Sequence, residues 1–297
     1  MARLPKLELQ LKGDQTMKGK LYLCPTPIGN LGDITYRTLE TLKSVDLIAA
    51  EDTRVSMKLL NHFEIKKPVT SYYEHNKREK GDYLIQKLIS GTTVAIVTDA
   101  GMPGISDPGE DLVRQCIENN IPVESLPGPC AFATALVASG LPTGRFTFEG
   151  FLSVNKKSRR EHLLSLTDET RTMIFYEAPH KLIYTLRDMA EVFGGERKIV
   201  LARELTKKYE EYLHTTLGGA VTHFEKTPPK GEFVLIIAGA DIEKVKEKRR
   251  EELPDAETLI AEYINQGLKG KEIAKLVSEK TDISKNEAYE LFLKLKS

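Results

Sequence analysis

Val94-Ala-Ile-Val-Thr-Asp-Ala-Gly-Met-Pro-Gly-Ile-Ser-Asp-Pro-Gly109 begins as an apolar, β-branched run and stops abruptly in a loop of glycine, proline and small polar residues. The first four residues have the composition of a buried parallel strand. Gly101, Gly104 and Gly109 let main chain approach a ligand closely, while Pro103 and Pro108 hold φ and carry no N–H, so the loop offers carbonyl oxygens more freely than donors. It reads as a ligand loop. The plainer alternative is an ordinary connection to a helix that starts after Pro108.

Two more strands end the same way. Leu21-Tyr-Leu-Cys24 runs into Pro25-Thr-Pro-Ile-Gly-Asn30, and Val123 to Leu126 runs into Pro127-Gly-Pro129. Strands that share such endings place their loops side by side at the carboxyl edge of one sheet, where open α/β folds bind ligands. Up to Leu126 strands and helices alternate: helices around Tyr36 to Lys43, Arg54 to Asn61, Lys77 to Ser90 and Gly109 to Glu118 separate strands at Leu47 to Ala50, Val69 to Tyr72 and Val94 to Val97. That alternation implies a mostly parallel sheet covered on both faces. After a small-residue helix, Ala131 to Ser139, a more strand-rich set follows: Phe146 to Phe148, Met173 to Tyr176, Ile199 to Ala202, Tyr212 to Leu217 and Phe233 to Ala238, with helices near Lys157 to Leu166 and His180 to Phe193. The fold class is therefore α/β, with lobes over 17–128 and 129–242.

Residues 243–252 are nearly all charged and read as a solvated helix end or linker. Beyond them, 253–297 repeat apolar residues at helical spacing, with Gly267 as a stop and Ser284 with Glu287 as a capping box. This three-helix unit has a helix-turn-helix character, but its lysines and acids nearly balance, so RNA binding and simple packing both stay open.

Composition bounds the function classes. The chain has 297 residues, 40% of them hydrophobic, enough for two well-packed lobes. Lysine plus arginine equals aspartate plus glutamate, 43 each, so no global field draws the chain onto nucleic acid and any RNA contact must be local. Cys24, Cys116 and Cys130 lie far apart without CxxC spacing, which suggests neither a disulfide framework nor a zinc ribbon and fits a reducing, cytoplasmic setting. Histidine spacing suggests no metal site, and neither GxxxxGK[ST] nor GxGxxG occurs. Residues 1–16 lack a signal-peptide core and read as an N-terminal extension with no assigned role. No membrane association is expected.

Several motifs occur in a fixed order: Leu21 through Thr35, Ala50-Glu-Asp-Thr-Arg54, Thr98 to Gly109, Leu126-Pro-Gly-Pro129, Phe148-Glu-Gly-Phe-Leu152, Tyr176-Glu-Ala-Pro-His180, Ala202-Arg-Glu-Leu-Thr206 and Lys230-Gly-Glu-Phe233. Together they resemble the RsmI-type 16S ribosomal RNA (cytidine) 2′-O-methyltransferases of the tetrapyrrole methylase superfamily, over roughly residues 18 to 240. The resemblance implies two lobes with S-adenosyl-L-methionine in the cleft between them, 16S rRNA of the small ribosomal subunit as partner, and a homodimer. Carried over by motif, the cofactor residues are Pro27, Asp99, Ala100, Gly101, Pro103, Gly104, Ser106, Pro127 and Gly128, with Tyr176, Ala202 and Gly231 on the second lobe.

Methyl transfer from a sulfonium needs orientation and a base rather than a metal. Glu51, Arg54, Glu177, Arg203 and Lys230 are the catalytic candidates, since each stands near the ligand edge of a strand; each could instead belong to an internal ion pair or helix cap. Local cations that could carry RNA are Lys77 and Arg78, and Lys156, Lys157, Arg159 and Arg160, the alternative being solvated helix starts. Competing functions are a tetrapyrrole C-methyltransferase on the same fold and a non-enzymatic rRNA-binding assembly factor.

Overall fold

The computed structural model describes residues 18–296; the N-terminal extension expected over 1–16 lies outside them. The chain divides into two compact units, one running through Leu163 and including Thr172–Ile237, the other Leu164–Arg171 with Ala238–Ser297.

The first unit holds both α/β lobes. In chain order the first lobe contains β1 (Leu21–Leu23), α1 (Tyr36–Ser44), β2 (Leu47–Ala50), α2 (Thr53–His62), β3 (Val69–Ser71), α3 (Lys77–Ile89), β4 (Val94–Val97), α4 (Gly109–Glu118) and β5 (Val123–Ser125). The five strands form one sheet in the order β3-β2-β4-β1-β5, every pair parallel. Alternate side chains of these short apolar strands face opposite layers. Leu21, Leu23, Val94 and Ile96 pack with Leu84, Leu88, Leu112 and Cys116 of α3 and α4. Cys24, Ala95 and Val97 pack with Leu42 of α1 and Leu60 of α2. Each leucine so buried contributes about 1.5–3 kcal/mol.

This layering has a functional consequence. β1 and β4 are neighbours, yet β1 leads to α1 on one face while β4 leads to α4 on the other. Their loops therefore diverge at the carboxyl edge and leave a crevice at the topological switch point.

The second lobe contains α5 (Ala131–Ala138), β6 (Phe146–Phe151), α6 (Lys156–Ser165), β7 (Thr172–Glu177), α7 (Pro179–Phe193), β8 (Lys198–Arg203), β9 (Glu211–Thr216), α8 (Leu217–Lys226) and β10 (Phe233–Ile237). Its sheet runs β6-β7-β10-β8-β9, parallel only between β6 and β7. Ala135 and Leu136 of α5 pack on Ile174, Val200, Ala202, Val234 and Ile236. Helix α8 is absent from the sequence reading. Its first turn is Leu-Gly-Gly-Ala, glycines that read as a break, and it buries only Leu217 and Ala220; it forms because Thr216 caps it, accepting from Gly219 N–H at 3.1 Å.

The second unit is helical: α9 (Ile242–Glu252), α10 (Ala256–Asn265), α11 (Gly270–Lys280) and α12 (Lys285–Lys296). The charged stretch is thus a full helix, capped by Asp241 and tied to residue 168 through Lys248. α10, α11 and α12 close over their own core of Ile260, Tyr263, Ile273, Val277, Ala288 and Phe292. The Ser284/Glu287 capping box is reciprocal: Ser284 N–H donates to Glu287 Oε2 at 2.7 Å, and Glu287 N–H donates to Ser284 Oγ at 3.3 Å.

Because α10–α12 carry a core of their own, truncation after Glu252 leaves both α/β lobes folded. Thermal unfolding of the truncated protein is expected to keep one cooperative transition at nearly the full-length midpoint; a loss of that transition contradicts the separation.

Candidate functional site

The loops after β1 and β4 are joined main chain to main chain. Thr26 N–H donates to Gly101 O at 2.9 Å and Gly101 N–H donates to Thr26 O at 3.0 Å, an isolated antiparallel bridge. Thr26 Oγ1 adds a bond to Thr98 O at 3.0 Å. The β4 loop is further held from within by Asp107, whose carboxylate accepts from Gly104 N–H at 2.8 Å and Gly109 N–H at 2.7 Å. Three residues of the loop take positive φ: Gly101 at 85°, Gly104 at 87° and Ser106 at 63°. An added Cβ at Gly101 or Gly104 would meet only ordinary contacts. Glycine is needed at these two positions for conformation, whereas the sequence reading held it there for close approach. Gly109 is different, since its Cβ would lie 2.8 Å from Asp107 Oδ1 and from Gly104 N.

These loops wall a cavity of about 600 Å³ whose opposite side is built by the second lobe. That volume falls in the range of small-molecule sites. Asp99, Ala100, Gly101 and Ser106 line it from the β4 loop, together with Met102, Ile105 and Asp107; Tyr176 lines it from β7. Pro103 and Gly104 belong to the same loop but shape it rather than line it. Pro27 lines a second, adjoining hollow. Pro127 and Gly128 follow β5 outside the lining, Gly128 packing on Pro25. Ala202 is buried in the second-lobe core, and Gly231 packs against Glu204. None of those four lines the cavity.

Glu51, at the end of β2, reaches the cavity; its Oε2 accepts from Thr98 Oγ1 at 2.6 Å. Asp99 lies at the rim, its Oδ1 accepting from Asp52 N–H at 3.0 Å. Partial withdrawal from water pushes the Asp99 carboxyl above the ordinary carboxylate range, and the charges of Glu51 and Asp52 add to this. Burial does the same to Asp107, partly offset by the amides of Gly104 and Gly109. One wall of the cavity is therefore rich in carboxylates, which suits a cationic ligand.

The other catalytic candidates are placed differently. Glu177 lines the cavity but is 4% exposed, and its carboxylate accepts from Thr185 Oγ1 at 2.5 Å and from Ala178 N–H at 2.8 Å, which fastens β7 to α7. Arg54 turns back onto its own helix cap, its Nη2 2.6 Å from Asp52 Oδ2. Arg203 pairs with Glu211 at 2.8 Å, and Lys230 stays exposed; Arg54, Arg203 and Lys230 do not reach the cavity wall. Short-range pairing decides these cases, because a nearby carboxylate satisfies each arginine locally.

The expected RNA patches are also partly neutralised. Lys77 lies between Glu74 at 2.8 Å and Asp111 at 2.7 Å, which holds its ammonium well above the ordinary lysine range. Arg159 is committed to Asp188 at 2.6 Å and to the carbonyls of Ser153 and Val154, and Arg160 pairs with Glu191. Arg78, Lys156 and Lys157 remain exposed.

His180 and Glu232, which the sequence sets beside Glu177 and Lys230 at the ligand edge, line the cavity, as do Met102, Ile105, Cys130 and Phe151, which sequence reasoning did not assign to the site. Phe151 had a signal. It stands in the Phe148-Glu-Gly-Phe motif, where Gly150 takes φ 64° beside a register shift in β6, and the displaced Phe151 ring lies 5.4 Å from that of Tyr176.

Comparison with known proteins gives the family and the fold. Residues 20–221 match the family model of Tetrapyrrole (Corrin/Porphyrin) Methylases. The chain is 47% identical over 279 residues to "Ribosomal RNA small subunit methyltransferase I" of Synechocystis sp., an alignment spanning 94% of this chain and 99% of that protein. It is also 47% identical over 223 residues to the Thermotoga maritima protein of the same name, all of which is matched by 75% of this chain. Among solved structures, Uroporphyrin-III C-methyl transferase from Thermus thermophilus complexed with S-adenyl homocysteine superposes with a TM-score of 0.53 at 18% identity, over 76% of this chain and 100% of that one.

Two outcomes follow from the loop. Gly101→Ala and Gly104→Ala each force an L-residue to positive φ and are expected to lower stability in denaturant titration by about 1–2 kcal/mol. The raised Asp99 carboxyl contributes stability that is present below the ordinary carboxylate pKa and is lost as pH rises through its own, higher value. Asp99→Asn is therefore expected to be more stable than the parent at neutral pH, the difference closing below about pH 4. Equal stability at both pH values contradicts the strain.

Proposed function

The chain belongs to the tetrapyrrole methylases, in the ribosomal RNA small subunit methyltransferase I family, and from that premise we propose that it transfers the methyl group of S-adenosyl-L-methionine to the ribose 2′-oxygen of a cytidine in the decoding region of 16S rRNA. The observation that carries the reading is the cavity of about 600 Å³ at the β1/β4 switch point, walled by carboxylates on one side and by Tyr176 and Phe151 on the other. S-adenosyl-L-methionine supplies an electrophilic methyl on a sulfonium. The fit rests on charge and shape: Glu51, Asp99 and Asp107 complement a cation, the two aromatic rings offer apolar faces, and the positive-φ backbone of Gly101, Gly104 and Ser106 sets the shape of the wall between them.

Asp99 is the residue best placed to receive the hydroxyl proton. It stands at the rim, its backbone-bonded oxygen is held by Asp52 N–H, and its raised pKa makes it a stronger base than an ordinary carboxylate. Glu51, tied to Thr98, keeps the Asp99 peptide in place and adds negative charge beside it. A positioned base contributes about 10²–10⁴ in rate. Tetrapyrrole C-methylation is the activity named for relatives such as the Thermus thermophilus enzyme, whose 18% identity carries the fold alone.

We also propose a homodimer and a cytoplasmic location. Among the described residues β6 is an edge strand paired with β7 alone, and exposed apolar side chains gather near it, Val154 being 72% exposed and Phe146 39%. No helix of the described residues is long and apolar enough to cross a membrane.

Incubation with labelled S-adenosyl-L-methionine and small subunits from a strain lacking the protein, followed by mapping of the modified nucleotide, tests the assignment. One labelled cytidine ribose in 16S rRNA is expected, and label on a tetrapyrrole or on no RNA overturns it. Asp99→Asn should cut the methylation rate by at least about 10²-fold without lowering the melting temperature.

A further inference from the structure

A second hollow of about 370 Å³ adjoins the cavity and shares Thr98 and Asp99 with it. One side is the β1 loop, with Pro27 and Leu31; the other is a face of α2, with Val55, Ser56, Lys58 and His62. Two features of this hollow are unusual for a plain surface groove. Leu31 and Val55 are 42% and 38% exposed, large apolar side chains left in water at its mouth. Ser56 is 3% exposed, and its hydroxyl has no hydrogen-bond partner among the described residues.

The charge pattern on α2 adds a third feature. Arg54, Lys58 and His62 stand at i, i+4 and i+8, one line along the helix. Arg54 is paired with Asp52, whereas Lys58 and His62 are exposed and make no ion pair among the described residues. Lys77, Arg159 and Arg160, by contrast, are bound to carboxylates. In a chain of zero formal net charge, α2 thus presents in Lys58 a cation that is not already spent, with the imidazole N–H of His62 one turn further on. Exposed apolar faces beside an unspent cation and a hydrogen-bond donor are the chemistry of single-stranded nucleic acid binding, bases against the former and phosphate on the latter.

We infer that this hollow is the acceptor-strand subsite: it seats the ribose and phosphate of the RNA nucleotide to be methylated, with phosphate on Lys58 and His62 and the sugar edge at Asp99. The shared Asp99 places the 2′-hydroxyl at the opening between the two spaces, and Ser56 offers its hydroxyl to the incoming sugar or base. The inference rests on the RNA methyltransferase reading and names residues which that reading leaves without a role.

The test uses the full-length chain, a single-stranded 16S rRNA fragment that contains the target cytidine, and S-adenosyl-L-methionine. The Lys58→Ala/His62→Ala double variant is expected to bind the fragment about tenfold more weakly and to lower the log–log salt slope by about 1, with cofactor affinity and melting temperature unchanged. Ser56→Ala is expected to weaken fragment binding with no loss of melting temperature. Fragment binding and salt slope at parental values in the double variant overturn the subsite. So does an equal loss of cofactor affinity, which would mean that α2 serves the first cavity. A parent protein that methylates no RNA overturns the functional reading instead, and a parent that methylates RNA beside an unaffected double variant overturns only this inference.

Discussion

The backbone bridge between Thr26 and Gly101 is the contact on which the site depends. It joins two loops whose strands send their helices to opposite faces of the sheet, so that without it the loops would have no common reference. With both amides and both carbonyls paired, the bridge leaves the ligand side of the loops to carboxylates and to backbone held in the left-handed region. Non-glycine positive φ at Ser106 costs about 1 kcal/mol, and such strain persists where surrounding bonds over-determine the loop, as Asp107 does here.

The carboxylates around the cavity carry a second cost. Asp99 and Asp107 are both shifted toward the protonated form by lost hydration, with Glu51 among the nearby negative charges. Structures keep such arrangements where a ligand relieves them, and a cationic ligand does so through simple electrostatics. The two hollows differ in the same respect: Glu51, Asp99 and Asp107 line the first, and Lys58 and His62 of α2 line the second.

Much of this was legible in the residues. The strand-to-loop junctions at Cys24, Val97 and Leu126 gave the parallel sheet and its ligand edge, because β-branched runs that end in proline and glycine leave few alternatives. Asp99, Ala100, Gly101 and Ser106, expected as cofactor residues, line the cavity. The arginines were harder to place, because Asp52, Glu211 and Asp188 capture Arg54, Arg203 and Arg159 through contacts that linear spacing does not reveal. Cys130 and Phe151 escaped for another reason: their place depends on how the second lobe closes against the first-lobe loops, a long-range property. The face of α2 escaped because a histidine and a lysine at helical spacing look like any solvated surface until Thr98 and Asp99 are found at its edge.

Amide hydrogen exchange with and without S-adenosyl-L-methionine tests the central claim most directly. Ligand should slow exchange together in residues 24–30 and 98–109, the two loops that the Thr26–Gly101 bridge couples, while β3 and the helices beyond residue 253 stay unchanged. Protection that spares both loops, or that appears in only one of them, would contradict a cofactor site built on the bridge at the switch point.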